Sequence, residues 1–290
     1  MLVEDFASIC GKADRVDSKY HGDYEECLPA IDASNTADVL GVKRELFKML
    51  VFSELSKNHD LHLKNLALLK EANRTLDGWS RVEMSPIYDV VPISASMAAG
   101  SELPLCLNGS QKSRHGVTGF LAFALRCGIS PTDALSCMND IQTRMTDYLN
   151  ATVTEYDDMM ERDLSGSAGA TKNVFNEVIA EIGDGLDLFA SELATIFELT
   201  EQVTTDTEFW EIVGPLCGEA LHGLEAKADA EAAESRSMQD MFDAQLDIDE
   251  SKYADPVSQG DLKLSGLVAG GGYLSGRAVV KPNQEGSDSL

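Results

Sequence analysis

Apolar residues recur at three- and four-residue spacing over much of the chain, and these stripes predict helices. Leu40, Leu46, Phe47, Leu50, Val51 and Leu55 form one of them. They predict a helix with one buried face, entered from Ser34, Asn35 or Thr36 as cap and running to about Ser56. Val3, Phe6 and Ile9 predict a short amphipathic helix over Leu2 to Ile9. Val117 to Cys127 predicts a helix closed by Gly128, and Ser130-Pro131-Thr132-Asp133 opens another that reaches about Leu149, with Thr152 to Leu164 continuing helical. Ile179, Ile182, Leu186, Phe189, Leu193 and Phe197 predict one or two helices over Val174 to Leu199, with Gly183 and Gly185 as kink points. Phe209, Trp210, Ile212 and Val213 start a further helix, which Pro215 interrupts.

The pattern changes between Leu66 and Met84. An apolar run, Leu66 to Leu69, a polar turn through Asn73 to Gly78 and a mixed run, Trp79 to Met84, predict a hairpin. A short strand at Leu103 to Leu107, with a turn at Asn108-Gly109, follows in a loop-rich stretch, and His21 to Asn35 reads as loop. Ser165 to Gly169 is a break. Ala226 to Met241 is helical by propensity but poor in core residues. The last 40 or so residues read as partly disordered, with Leu262 to Val268 and Tyr273 to Val280 as edge-strand candidates. Gly270-Gly271-Gly272 lacks the frame of a phosphate-binding loop. The expected fold is mainly α with a small β hairpin. Residues 1–232 form its body, a catalytic half at 1–150 and a helical half at 151–232, and 233–290 form an acidic, Gly-rich tail.

Charge narrows the partners. Forty-nine acidic against 23 basic residues give a net charge of −26, a field that repels nucleic-acid phosphates and argues against direct DNA or RNA binding. Lys112, Arg114 and His115 make a small basic patch that suits phosphate or plain solvation. The six cysteines show no C-x-x-C spacing and read as reduced thiols of a cytoplasmic protein, with no structural zinc site. No apolar run approaches the roughly 18 residues of a membrane span, and no signal core opens the chain.

The chemistry gathers in Asn58-His59-Asp60-Leu61-His62-Leu63-Lys64-Asn65. An aspartate followed five residues later by an asparagine is the pairing that kinase-type phosphoryl transfer requires: a base for the substrate hydroxyl proton, then a magnesium ligand. A second aspartate past a hairpin supplies the other ligand, and Asp89 in Ser85-Pro86-Ile87-Tyr88-Asp89 has that place. Leu61 and Leu63 are expected to anchor the loop inward. Lys64 is placed to contact the transferred phosphate or to lie on the surface. His62 reads first as a hydrogen-bonder of the loop and second as a cofactor-binding residue. Pro86 and Pro92 bracket Asp89 and restrict its backbone. Val90-Val91 follows the aspartate, so the D-F-G of ordinary protein kinases is absent.

The string N-x-D-x-H-x-K-N, the hairpin, S-P-x-Y-D-V-V-P and then Leu103-Pro104-Leu105-Cys106-Leu107-Asn108-Gly109 resembles the C-terminal region of HipA-like serine/threonine kinases of toxin–antitoxin systems. The likeness covers roughly the first half of the chain. It implies a kinase-like large lobe, with ATP and Mg²⁺ as cofactors, Asp60 and Lys64 as catalytic residues, and Asn65 and Asp89 as metal ligands. A protein substrate and an antitoxin partner are implied too. It also implies a small nucleotide-covering lobe ahead of Glu4-Asp5-Phe6, and the 59 residues before Asp60 hold no glycine-rich strand–loop–strand unit. The sequence-based expectation is therefore a large lobe incomplete alone, its N-terminal lobe absent from this chain. The alternative is a non-catalytic acidic helical interaction protein, a family remnant or a chance motif.

Overall fold

The computed structural model of the chain describes residues 1–12, 18–74, 78–92, 103–112, 114–162, 169–218 and 220–221. All lie in one compact unit, Met1–Met238; a second, Gln239–Leu290, is outside the described residues. The expectations for Ser165 to Ala168, for Ala226 to Met241 and for the tail strands fall outside them too.

The chain starts as a strand. β1 (Leu2–Asp5) runs into a single helical turn, α1 (Phe6–Ile9), where a helix over Leu2 to Ile9 was expected. Leu2 and Val3 are largely exposed, so no helical stripe is buried there, whereas Phe6 and Ala7 are fully buried. The switch occurs at Asp5, whose carboxylate accepts the Ser8 amide at 2.8 Å and caps α1. The stretch expected as loop before the long helix instead contains a 3₁₀ turn at Tyr24–Glu26 and α2 (Cys27–Asp32), because Tyr24, Cys27, Leu28 and Ile31 all enter the core.

α3 (Val39–Leu55) has the extent its stripe predicts, with Leu46, Phe47, Leu50, Val51 and Leu55 buried; Leu40, assigned to the same stripe, is exposed. Its cap is Asp38, not Ser34, Asn35 or Thr36, and accepts the Gly41 amide at 2.8 Å. The hairpin forms as β2 (Ala67–Ala72) and β3 (Trp79–Met84), and β1 adds to it as a third antiparallel strand in the order β1-β2-β3. Val3 faces Leu69, and Leu68 faces Met84. No strand forms at Leu103 to Leu107; Cys106 makes one isolated bridge with Asp23, and Leu107 closes on Ser110 around the turn at Asn108-Gly109.

Four more helices follow among the described residues. α4 (Gly116–Cys127) ends at Gly128, whose φ of 73° gives the left-handed cap expected there. α5 (Pro131–Arg162) and α6 (Gly169–Thr200) are each continuous, and Gly183 and Gly185 do not interrupt α6. α7 (Asp206–Val213) starts on a Thr205–Glu208 capping box and yields to a 3₁₀ turn at Gly214–Cys217. Phe47 of α3, Phe120 of α4 and Phe189 of α6 stack edge to face in a row, 6.2 Å between neighbouring centroids. All three are essentially solvent-free, so this row is the axis of the core.

Candidate active site

The loop after α3 is shaped before any functional side chain enters it. Lys57 adopts φ 57°, which ends the helix, and the Asn58 amide donates back to the Ser53 carbonyl at 2.9 Å. The Ser53 hydroxyl donates to the Asn58 carbonyl at 2.6 Å. Leu61 and Leu63 are fully buried, as expected, and the buried Tyr24 hydroxyl donates to the Leu61 carbonyl at 2.9 Å. Between these anchors Asp60 is left partly exposed.

The sheet brings the second fragment alongside. Next to the start of β2, the Phe6 amide donates to the Leu66 carbonyl at 2.9 Å and the Ser85 amide to the Ala67 carbonyl at 2.8 Å. The β1 side of β2 is thus zipped up to the residue after Asn65, and the β3 side up to the one beyond it. Asn58, fully buried, completes the link: its side-chain oxygen accepts from the Asp60 amide at 3.4 Å and from the Val91 amide at 3.3 Å. The Tyr88 hydroxyl donates to the Lys64 carbonyl at 2.5 Å.

Asn65 bridges the main chain of Asp60 and the side chain of Asp89. The Asn65 amide nitrogen donates to the Asp60 carbonyl at 2.8 Å and lies 3.5 Å from an Asp89 carboxylate oxygen. The bond to Asp60 orients the amide, which leaves the Asn65 side-chain oxygen as an acceptor in a site 5 % exposed. The Asn65 nitrogen is the atom that faces Asp89 here; the Asn65 amide oxygen and an Asp89 carboxylate oxygen are hard donors of the kind that suit Mg²⁺, with waters and phosphate oxygens completing its shell. Asp89 has φ 55°, a left-handed backbone that aspartate adopts more readily than most residues. Such backbone outliers gather at functional sites.

His62 is buried, and its Nε2 lies 2.8 Å from the Lys19 ammonium and 4.0 Å from Asp60. Burial, then the Lys19 charge, lower its pKa, against the opposing pull of Asp60 and Asp89. It is therefore a neutral acceptor near pH 7. Lys64 is exposed and touches the site through its backbone carbonyl. The basic patch dissolves into structural roles: Arg114 pairs with Glu192 at 2.7 Å, and the His115 amide donates to Glu54.

Sequence reasoning missed Asn58 as the tie between the two fragments, and it missed Lys19, Tyr20 and Tyr24 altogether. Asn58 stood inside the recognised string, so its signal was present. The other three lie some 37 to 43 residues from their partners and carry no spacing that reports the contact. A groove of about 1590 Å³ lies between α3, β3, α5 and α6, and Asp60, Asn65 and Asp89 do not line it. Among the described residues no helix is long and apolar enough to cross a membrane.

Comparison with known proteins bears on the same half of the chain. A family model described as the HipA-like C-terminal domain matches residues 1–149. A Haemophilus influenzae protein named "Putative kinase" is 31 % identical over 78 residues, 27 % of this chain and 21 % of that protein. Among solved structures, a chain from the Shewanella oneidensis toxin–antitoxin complex of HipA, HipB and operator DNA superposes with a TM-score of 0.51 at 13 % identity, over 67 % of this chain and 45 % of that one. At that identity the likeness is one of fold. The matched region spans less than half of either relative.

Proposed function

We propose a function from one premise: the chain belongs to the HipA-like C-terminal domain family. On this reading it carries the base and the metal ligands of an ATP-dependent serine/threonine protein kinase. The bridge that Asn65 makes between Asp60 and Asp89, across the loop and the hairpin, carries the proposal. The Asn65 side chain touches the Asp60 main chain and the Asp89 carboxylate, so the two segments are held together, and phosphoryl transfer depends almost wholly on such positioning and on charge stabilisation.

In this mechanism a substrate serine or threonine hydroxyl approaches the partly exposed Asp60 carboxylate. As the hydroxyl oxygen bonds to the γ-phosphorus, the bond from that phosphorus to the ADP oxygen breaks, and the hydroxyl proton passes to Asp60. Asn58 and Asn65 hold Asp60 through its amide and its carbonyl, so the base is aimed by the backbone. Asn65 and Asp89 would hold Mg²⁺, which supplies neutralisation of the phosphate charge. Residues 1–149 would then be one wall of the nucleotide site. Efficient transfer also requires a loop that covers the phosphates and a lysine that holds the α- and β-phosphates, and the assay below supplies both as a small lobe. A cytoplasmic setting and an antitoxin partner complete the reading, with the net charge of −26 favouring a protein contact over DNA.

Transfer of labelled γ-phosphate from ATP to protein tests this, using the chain alone, the chain joined to a small lobe, and the variants Asp60→Ala and Asp89→Ala. We expect little transfer from the chain alone, restoration by the lobe, and loss of at least about a hundredfold in both variants. Restored transfer that survives Asp60→Ala would remove Asp60 from the mechanism. Failure of any joined protein to transfer phosphate would favour the non-catalytic reading.

A further inference from the structure

The turn Ser18–Tyr20 lies over the catalytic loop, and two of its side chains reach the site. The Tyr20 ring meets the His62 ring edge to face, with centroids 5.1 Å apart, and the Tyr20 hydroxyl lies 3.4 Å from the Asp60 carboxylate. The Lys19 ammonium sits 2.8 Å from His62 Nε2 and 4.7 Å from the centre of the Tyr20 ring. This turn is anchored from outside the site. The Ser18 hydroxyl donates to the Lys12 carbonyl, and the Lys12 ammonium donates to the His21 carbonyl at 2.8 Å and pairs with Glu26.

A cation seated on an imidazole is an unusual choice for stability alone. With Nε2 accepting from Lys19, the ring proton resides on Nδ1, and that atom is buried with no hydrogen-bond partner among the described residues. A buried donor left unsatisfied costs stability. What the arrangement achieves is a lysine held against His62, whose Nε2 lies 4.0 Å from the Asp60 carboxylate. Histidine at 62 accepts the lysine without neutralising it, which a carboxylate there would do. An ammonium carries three donors, and His62 engages one.

We propose that Lys19 is the cation that binds the phosphoryl group being transferred, held for that task by His62 and the Tyr20 ring. The inference rests on the phosphoryl-transfer reading and moves the phosphate-binding role from Lys64 to a residue in a different segment. Charge develops on the phosphoryl oxygens next to the base, and a pre-positioned ammonium stabilises it without reorganising. Lys64 is exposed and meets the site only through its main chain.

Nucleotide titrations of the 290-residue chain, followed by NMR into the millimolar range with Mg²⁺ present, test it. ATP and ADP are compared in the parent, Lys19→Met and Lys19→Arg. We expect Lys19→Met to weaken ATP about tenfold while leaving ADP within twofold, since only ATP carries the group in question. Lys19→Arg is expected to recover most of the loss. A purely structural lysine would weaken both nucleotides together or neither, and either outcome overturns the proposal while the kinase reading stands. Absence of any nucleotide-dependent shift at Asp60, Asn65 and Asp89 in the parent would overturn the kinase reading itself, and this inference with it.

Discussion

His115 shows how a single residue couples this fold to pH. Burial, reinforced by the nearby Lys112 charge, lowers its pKa from 6.5 to about 4. A histidine held neutral in the fold is protonated more readily once unfolded. Between pH 6.5 and about 4 the unfolded chain therefore binds the extra proton, and stability falls as pH falls through that window. Burial lowers the pKa of His59 and His62 too, so they add to the loss. Glu54 and Glu25 act in the opposite sense, since burial raises their pKa values and protonation favours the folded state. Melting followed from pH 7 to pH 5 is expected to show a falling midpoint in the parent and a shallower fall in His115→Gln. Parallel curves would show that His115 does not carry the effect.

At the scale of elements, α4 begins between two carboxylates from other helices. Glu54 of α3 accepts the amides of His115 at 2.7 Å and Gly116 at 3.0 Å, and Glu192 of α6 accepts the Val117 amide at 3.0 Å. Negative groups at a helix N-terminus satisfy its free amides and oppose its dipole. Glu54→Ala would leave buried donors bare, and we expect a loss of about 2–4 kcal/mol in urea unfolding, with Glu54→Gln losing less because it keeps one acceptor. At the other end of α4, Gly128→Ala is expected to cost about 1 kcal/mol, because its φ of 73° suits glycine alone among small residues. The same helices show what the sequence could disclose. The α3 stripe was legible because burial on one face imposes its own period on Leu46, Phe47, Leu50, Val51 and Leu55. β1 was not, because Val3, Phe6 and Ile9 match helical spacing by coincidence while the real determinant is pairing with β2. α2 was hidden behind Gly22 and Pro29, although Tyr24 and Ile31 pack in the core. The approach of the Asp60–Asn65 loop to Asp89 was legible because the kinase pattern demands particular residue types in a particular order. Lys19 and Tyr20 were not, because a contact across 40 or so residues leaves no trace in periodicity.

For the whole molecule, a helical body built on the Phe47–Phe120–Phe189 row supports a three-stranded sheet, and the sheet brings two polar segments to one point. On the proposed function that point is a divalent-metal site next to a base, in a chain whose many carboxylates offer a diffuse alternative. Paramagnetic broadening by Mn²⁺ with ATP, read residue by residue in the NMR spectrum, separates the two. We expect broadening at the lowest Mn²⁺ additions to centre on Asp60, Asn65 and Asp89 and to vanish there in Asp89→Ala. Broadening spread over acidic helix surfaces such as Asp140 and Asp147, and unchanged by Asp89→Ala, would contradict it.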